Sequence, residues 1–142
     1  MPMDISERTA GYRGMWKRVP IGPCSFISPF NFPLALGGGP LAAALVTGNT
    51  VVLKGATDTP WAGRLLADCV RDAGFPDGVI NFIPGSGGQV GNPVMASPDL
   101  AGVHFTGSTE VFQNMWKTIG NNIHQYKSYP RIVGETGGKD FM

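Results

Sequence analysis

Five short apolar segments run along this chain of 142 residues, and stretches with helical character separate them. Each short segment is mainly apolar, without the regular alternation of apolar and polar residues that marks a strand with one wet face. Short, evenly apolar strands joined by helices are typical of a parallel sheet that is covered on both faces. The sequence therefore predicts an α/β fold with a doubly wound parallel sheet.

Start and stop signals set the bounds of these segments. Thr59-Pro60 is a strong helix start, and Gly48 and Gly74 are typical helix ends. Residues 1–15 are polar and aperiodic and predict an arm, and residues 16–142 form the predicted domain. The predicted strands are 24–28, 50–53, 79–83, 102–105 and 131–133, and the predicted helices are 34–47, 59–73, a short one ending at 96, and one from about 109 to 122.

Composition narrows the class of protein. Apolar residues make up 42% and charged residues 15% of the chain, and the net charge is +1, so we expect neither nucleic acid nor an acidic membrane as a partner. The longest purely apolar run, Leu41 to Val46, is too short to span a bilayer. Cys24 and Cys69 do not form a disulfide framework, and we expect both to pack in the core. This favours a reducing compartment: the cytoplasm, or the mitochondrial matrix in a eukaryote.

Chemically suggestive residues follow every predicted strand. They are Asn31, Lys54, the Gly85–Gly88 loop, Thr106 to Ser108, and Glu135. Right-handed crossovers bring the carboxyl ends of parallel strands to one edge, where ligands bind in such folds. The chain has 21 glycines, clustered between the apolar segments, which suits loops that approach a ligand closely.

Two of these segments could hold a phosphate or a sugar. Thr106-Gly-Ser108 opens a helix, where free amides favour a phosphate, although Ser108 could simply cap that helix. Lys54 closes a buried strand and could bind a ribose or a phosphate, although it could also extend to solvent. The Gly85–Gly88 loop resembles a nucleotide cradle but lacks the G-x-G-x-x-G spacing.

Asn31 and Glu135 could act on a substrate. The Asn31 amide could donate to a developing oxyanion, or it could bond its own backbone in a turn. Glu135 could act as a general base, or it could be a solvated glutamate paired with Lys139. His104 is expected within the sheet and His124 at the surface, and neither has partners at metal-ligand spacing, so we expect no metal site.

Together these segments resemble the aldehyde dehydrogenase superfamily, whose cofactor-binding domain is Rossmann-like, and the likeness runs from about Val19 to Phe141. It rests on five ordered motifs: Ser28-Pro-Phe-Asn-Phe-Pro33, Gly48-Asn-Thr-Val-Val-Leu-Lys54, Ala73-Gly-Phe-Pro-Asp-Gly-Val-Ile-Asn81, Phe105-Thr-Gly-Ser-Thr109 and Gly134-Glu-Thr-Gly-Gly-Lys139. Within the superfamily, the 1-pyrroline-5-carboxylate dehydrogenases, which oxidise glutamate semialdehyde to glutamate, are most similar. Phe112 and the stretch from Asn121 to Arg131 carry that finer likeness.

The resemblance implies roles for individual residues. Asn31 is similar to the oxyanion-hole asparagine and Glu135 to the general base that activates water for thioester hydrolysis. Lys54 is similar to the lysine that binds the adenosine ribose, and Ser108 to the serine at the pyrophosphate. Val111 and Gly88 fall where the family encloses the adenine, and Gly137 falls near the nicotinamide. The remaining positions assigned to cofactor binding are Ser28, Pro29, Phe30, Thr57, Thr106 and Gly107.

The implied cofactor is NAD, and NADP is not excluded. Many NAD-specific members have a glutamate at the position of Thr57, where a carboxylate would repel a 2′-phosphate. The implied reaction is oxidation of a small aldehyde to a carboxylate by a homo-oligomeric enzyme.

Two alternatives remain open. The family's nucleophilic cysteine lies downstream of the position of Glu135, so we expect the chain by itself to be a cofactor-binding fragment without catalytic activity. The other is a reductase of acyl phosphates with the same fold. Such a reductase needs no hydrolytic glutamate, and Glu135 argues against it.

Overall fold

A computed structural model describes residues 3–4, 11 and 13–138. Residues 1–2, 5–10 and 12 of the predicted arm and residues 139–142 lie outside the described part. Short strands β1 (Met3–Asp4) and β2 (Met15–Trp16) pair antiparallel. The main sheet consists of β3 (Cys24–Ile27), β4 (Val51–Lys54), β5 (Ile80–Phe82), β6 (Gly102–Gly107) and β7 (Arg131–Thr136). The helices are α1 (Pro33–Val46), α2 (Pro60–Asp72), α3 (Gly87–Ala96), α4 (Thr109–Asn121) and a 3₁₀ turn, Ile123–Gln125.

The five main strands are parallel and lie in the order β5-β4-β3-β6-β7. The chain adds strands outward from β3 on one side and then returns to add β6 and β7 on the other. The predicted doubly wound sheet is therefore confirmed, with its switch in strand order between β3 and β6.

Two hydrophobic clusters lie on opposite faces of the sheet. One joins Cys24, Phe26 and Leu53 to α1 and α2, and the other joins Val103 and Phe105 to α3 and α4. Since neighbouring residues of a strand point to opposite faces, β3 supplies Phe26 to the first cluster and Ile27 to the second.

The expectation that every strand is covered on both faces is wrong for β7. None of its residues is buried, and Val133 is 58% exposed, because α1 and α2 cover the other half of the sheet. β6 and β7 are also longer than predicted. Glu135, predicted to follow β7, lies within it and pairs in register with Thr106 of β6.

Glycine lets α1 and α2 come close together. A Cβ atom on Gly37 or Gly38 would lie 3.1 or 3.2 Å from a methyl carbon of Leu66, so these costly helical glycines accommodate a neighbouring side chain.

Asn49 connects the C-terminal end of α1 to the chain before β3 through hydrogen bonds. Its side chain accepts from the Ile21 amide at 2.7 Å and donates to the Ala44 carbonyl at 3.3 Å.

The apolar residues of α2 do not all face the core. Leu66 and Val70 pack on the core, but Leu65 is 54% exposed and Cys69 is exposed, so the expectation that Cys69 packs in the core is wrong. The core-facing stripe of α2 begins at Gly63, where Phe82 fills the space that a Cβ atom would take. Within the described residues, no helix is long and apolar enough to cross a bilayer.

Candidate active site

The carboxyl ends of the strands open into a cleft of about 1010 Å³. The loops after β3, β4 and β6, the helices α3 and α4, and the end of β7 form its walls. The cleft lies at the switch in strand order, where ligands bind in doubly wound sheets. Its volume is at the upper end of the range for small-molecule sites, roughly 300–1,000 Å³, and suits an elongated ligand.

All thirteen residues that the resemblance assigned to catalysis or cofactor binding line this cleft. They come from separate segments of the chain that only the sheet brings together. They are Ser28, Pro29, Phe30, Asn31, Lys54, Thr57, Gly88, Thr106, Gly107, Ser108, Val111, Glu135 and Gly137.

Asn31 occupies the bend between β3 and α1. The next residue, Phe32, has φ 50°, a left-handed conformation that is rare for an aromatic residue. The Asn31 side chain is exposed and makes no hydrogen bond with the residues that the structure describes. Its amide is therefore available to a ligand, and the alternative that it bonds its own backbone is not observed.

Glu135 also lines the cleft and is exposed. Its register partner, Thr106, has a buried hydroxyl without a hydrogen-bond partner in the described part of the chain. An unsatisfied buried hydroxyl is costly, and a bound polar ligand would relieve that cost. Lys139, the alternative partner of Glu135, lies outside the described residues.

Lys54 is the buried cation of the cleft, with 7% of its surface exposed. Burial lowers the pKa of its ammonium group, and the nearby carboxylate of Asp58 opposes that change. The ammonium makes no hydrogen bond or contact ion pair with the described residues. Burying a cation is expensive unless polar groups surround it, so a ligand with hydroxyls or negative charge fits this position.

Ser108 is the N-cap of α4, and its hydroxyl accepts from the Val111 amide at 3.4 Å. The ordinary capping role considered from the sequence is therefore present. The amides of the first helical turn still face the cleft end of α4, where they favour an anion. Capping and ligand binding are compatible at this position.

Sequence reasoning missed a second arm of the cleft, which lies between α3 and α4. Asn114 and Thr118 line it from α4, together with Val111 and Met115, and Asn122 lines it from the C-cap of that helix. Their spacing of three or four residues places them on one face of α4, and this periodicity is the signal that could have revealed them. Asn92 and Met95 line the same arm from α3.

Neither cysteine lines the cleft. Cys24 is buried in β3 as predicted, and burial raises the pKa of its thiol. Reactive cysteines are accessible and have lowered pKa values, so Cys24 does not suit nucleophilic attack. His104 lies in β6 with its ring edge against Phe26, and His124 is exposed, as predicted for both.

Comparison with known proteins agrees with the fold. The sequence model of the aldehyde dehydrogenase family matches residues 2–142, and the chain belongs to this family.

Its relatives include named enzymes. The chain is 43% identical over 134 residues to the mitochondrial delta-1-pyrroline-5-carboxylate dehydrogenase of Emericella nidulans, an alignment that covers 90% of this chain and 23% of that protein. It is 41% identical over 123 residues to the 2,5-dioxopentanoate dehydrogenase of Saccharolobus solfataricus, covering 87% of this chain and 25% of the relative.

A solved structure is also similar. The Mycobacterium tuberculosis delta-pyrroline-5-carboxylate dehydrogenase bound with NAD is 45% identical, with a TM-score of 0.80, over 87% of this chain and 23% of that one. The chain thus spans about a quarter of the length of the relatives that it matches.

Proposed function

We propose that this chain supplies the cofactor-binding part of an NAD-dependent aldehyde dehydrogenase that oxidises 1-pyrroline-5-carboxylate, as glutamate semialdehyde, to glutamate. The observation that carries the proposal is the meeting of Asn31, Lys54, Ser108 and Glu135, from four separate segments, in one cleft. The names of similar proteins support the same reaction. They do not favour the acyl-phosphate reductase.

Three features of the cleft itself suit a bound dinucleotide. Lys54 is a buried cation without a contact partner in the described residues, the start of α4 offers amides to an anion, and Thr106 has an unsatisfied hydroxyl. We propose that Lys54 holds the adenosine ribose, that the start of α4 holds the pyrophosphate, and that Gly88 and Val111 enclose the adenine. NAD, when bound, would supply the hydride acceptor.

The chain's own residues act at the other end of the cleft. The Asn31 amide would donate a hydrogen bond to the oxygen that gains negative charge when the aldehyde is attacked. The Glu135 carboxylate would take a proton from the water that releases the acid. A nucleophilic thiolate is also required, and neither Cys24 nor Cys69 lies in the cleft. We therefore propose that the chain alone binds the cofactor without turning over an aldehyde.

Equilibrium dialysis with NAD⁺ tests the cofactor part of the proposal. The chain should bind NAD⁺, and Lys54→Met should weaken binding by about tenfold, because it removes the cation but keeps the length of the side chain. Lys117→Met is the matched control, since Lys117 is exposed on α4 and does not line the cleft. Equal losses for the two variants, or no binding by the parent chain, would refute the assignment.

A longer polypeptide that carries the nucleophile tests the chemical part. There, Asn31→Ala should lower kcat by about 10²–10³, the effect of losing one oxyanion donor, and NAD⁺ affinity should change little. Steady-state kinetics with pyrroline-5-carboxylate measures both. An unchanged kcat would remove Asn31 from the reaction.

We further propose that the complete enzyme is a homo-oligomer of the cytoplasm, or of the mitochondrial matrix in a eukaryote. The free cysteines are compatible with either compartment, since both are reducing.

A further inference from the structure

The stretch between β4 and α2 forms a turn that faces the cleft. The Thr59 amide donates to the Ala56 carbonyl at 3.2 Å, and this bond places Thr57 and Asp58 at the corners of the turn. Both residues line the cleft beside Lys54. A carboxylate and a buried ammonium group therefore border the same part of the site.

Asp58 is free to meet a ligand. Its side chain is exposed, and its carboxylate makes no hydrogen bond or contact ion pair with the residues that the structure describes. It is nevertheless close enough to Lys54 for the two charges to interact. The formal charges of Lys54 and Asp58 cancel. This part of the cleft therefore has no net positive charge to attract a phosphate group.

NAD and NADP differ at the 2′ position of the adenosine ribose, where NAD has a hydroxyl and NADP a phosphate. A carboxylate accepts a hydrogen bond from a hydroxyl and repels a phosphate. Thr57 has no charge, so it cannot repel a phosphate as a carboxylate does. We propose that Asp58, and not Thr57, is the residue that makes this site select NAD over NADP.

This inference rests on the proposed function, because it places the adenosine ribose beside Lys54. It predicts that the parent chain binds NAD⁺ at least tenfold more tightly than NADP⁺. Asp58→Asn keeps the size of the side chain and removes its charge, which leaves Lys54 unopposed. We expect Asp58→Asn to bind NADP⁺ more tightly and to reduce the preference for NAD⁺ by about tenfold.

Ligand-observed NMR titrations with NAD⁺ and NADP⁺ at low ionic strength measure both affinities, since salt would screen the repulsion. Asp77→Asn is the matched control, because Asp77 is exposed in the turn before β5 and does not line the cleft. It should leave the preference unchanged. Circular dichroism establishes that each variant is folded.

The possible outcomes separate the two proposals. If the parent chain and Asp58→Asn bind both nucleotides with the same preference, the role of Asp58 is refuted and the proposed cofactor site stands. If folded Asp58→Asn loses both nucleotides equally, Asp58 supports the site without selecting, and the inference is also refuted. If the parent chain binds neither nucleotide, the proposed function itself fails.

Discussion

Lys54 and His104 show how single residues respond to burial in this fold. Burial lowers the pKa of both groups, and a carboxylate opposes the change in each case: Asp58 beside Lys54 and Glu135 beside His104. Asp58 and Glu135 both line the cleft. Charges that line the cleft therefore also influence the protonation of Lys54 and His104.

The lowered pKa of His104 predicts a dependence of stability on pH. In the unfolded chain a histidine has its ordinary pKa of about 6.5, so the unfolded state binds a proton more readily than the folded state does. The stabilising contribution of neutral His104 is present above that pH and is lost as the pH falls through it. The unfolding midpoint of the parent chain should therefore decrease on acidification from about pH 8 to about pH 5.

His104→Asn should reduce this decrease, and His124→Asn should leave it unchanged, because His124 is exposed. Urea unfolding of the three proteins across this pH range provides the comparison. Removing the charge opposite His104, with Glu135→Gln, should lower the pKa of His104 further and steepen the decrease. Identical slopes for the parent chain and His104→Asn would contradict the prediction.

At the scale of elements, α4 and β7 fit together through Phe112 and Gly134. The Phe112 ring stacks on Phe105, with 6.0 Å between ring centroids, and it occupies the space above Gly134. A Cβ atom on Gly134 would lie 2.3 Å from a ring carbon of Phe112, which no real packing allows. A large side chain on the helix thus requires glycine on the strand.

A double-mutant cycle tests this fit. Gly134→Val should destabilise the chain by about 1–3 kcal/mol through overpacking. Phe112→Ala should destabilise it by about 3 kcal/mol, the lower end of the range for phenylalanine, because the ring is only partly buried. In the double variant, valine fills the space that the ring left, so we expect the combined loss to be smaller than the sum by about 1–3 kcal/mol.

Chemical denaturation gives the free energy of unfolding of the parent chain, the two single variants and the double variant. Gly138→Val is the control, since a Cβ atom on Gly138 would meet none of the described residues within 4 Å. Strict additivity of the two substitutions would show that Phe112 and Gly134 are not coupled.

Among the described residues, the helices on one face of the sheet and the helices on the other face cover different halves of it. Helices α1 and α2 pack on the side of β3 to β5, whereas α3 and α4 pack on the side of β3, β6 and β7. Large apolar side chains remain exposed, and among them are Trp116 and Tyr129. The most exposed are Val46, Trp61, Tyr129 and Phe32, at 84%, 81%, 81% and 74%.

This exposure predicts that the isolated chain associates with itself. Apolar patches and open strand edges favour contact between copies. Sedimentation velocity over a range of concentrations should give a weight-average mass that rises with concentration. A monomer at every concentration would contradict this expectation.

Local sequence signals were enough to predict the five strands, the four helices and the residues at the strand ends. Uniform apolar segments identified the strands of a parallel sheet, and Gly48 and Gly74, with φ angles of 84° and 85°, end α1 and α2 where predicted. The likeness to a known family then singled out the thirteen residues that line one cleft. These features depend on neighbours in sequence or on motifs, which a single sequence contains.

Other features depend on which elements pack together, and only the tertiary structure decided them. Cys69 and Leu65 belong to an apolar pattern on α2, yet they face outward because the contact of Gly63 with Phe82 sets the rotation of that helix. Glu135 lies inside β7 because β6 continues to Gly107 beside it. The arm of the cleft between α3 and α4 likewise arises from the packing of these two helices.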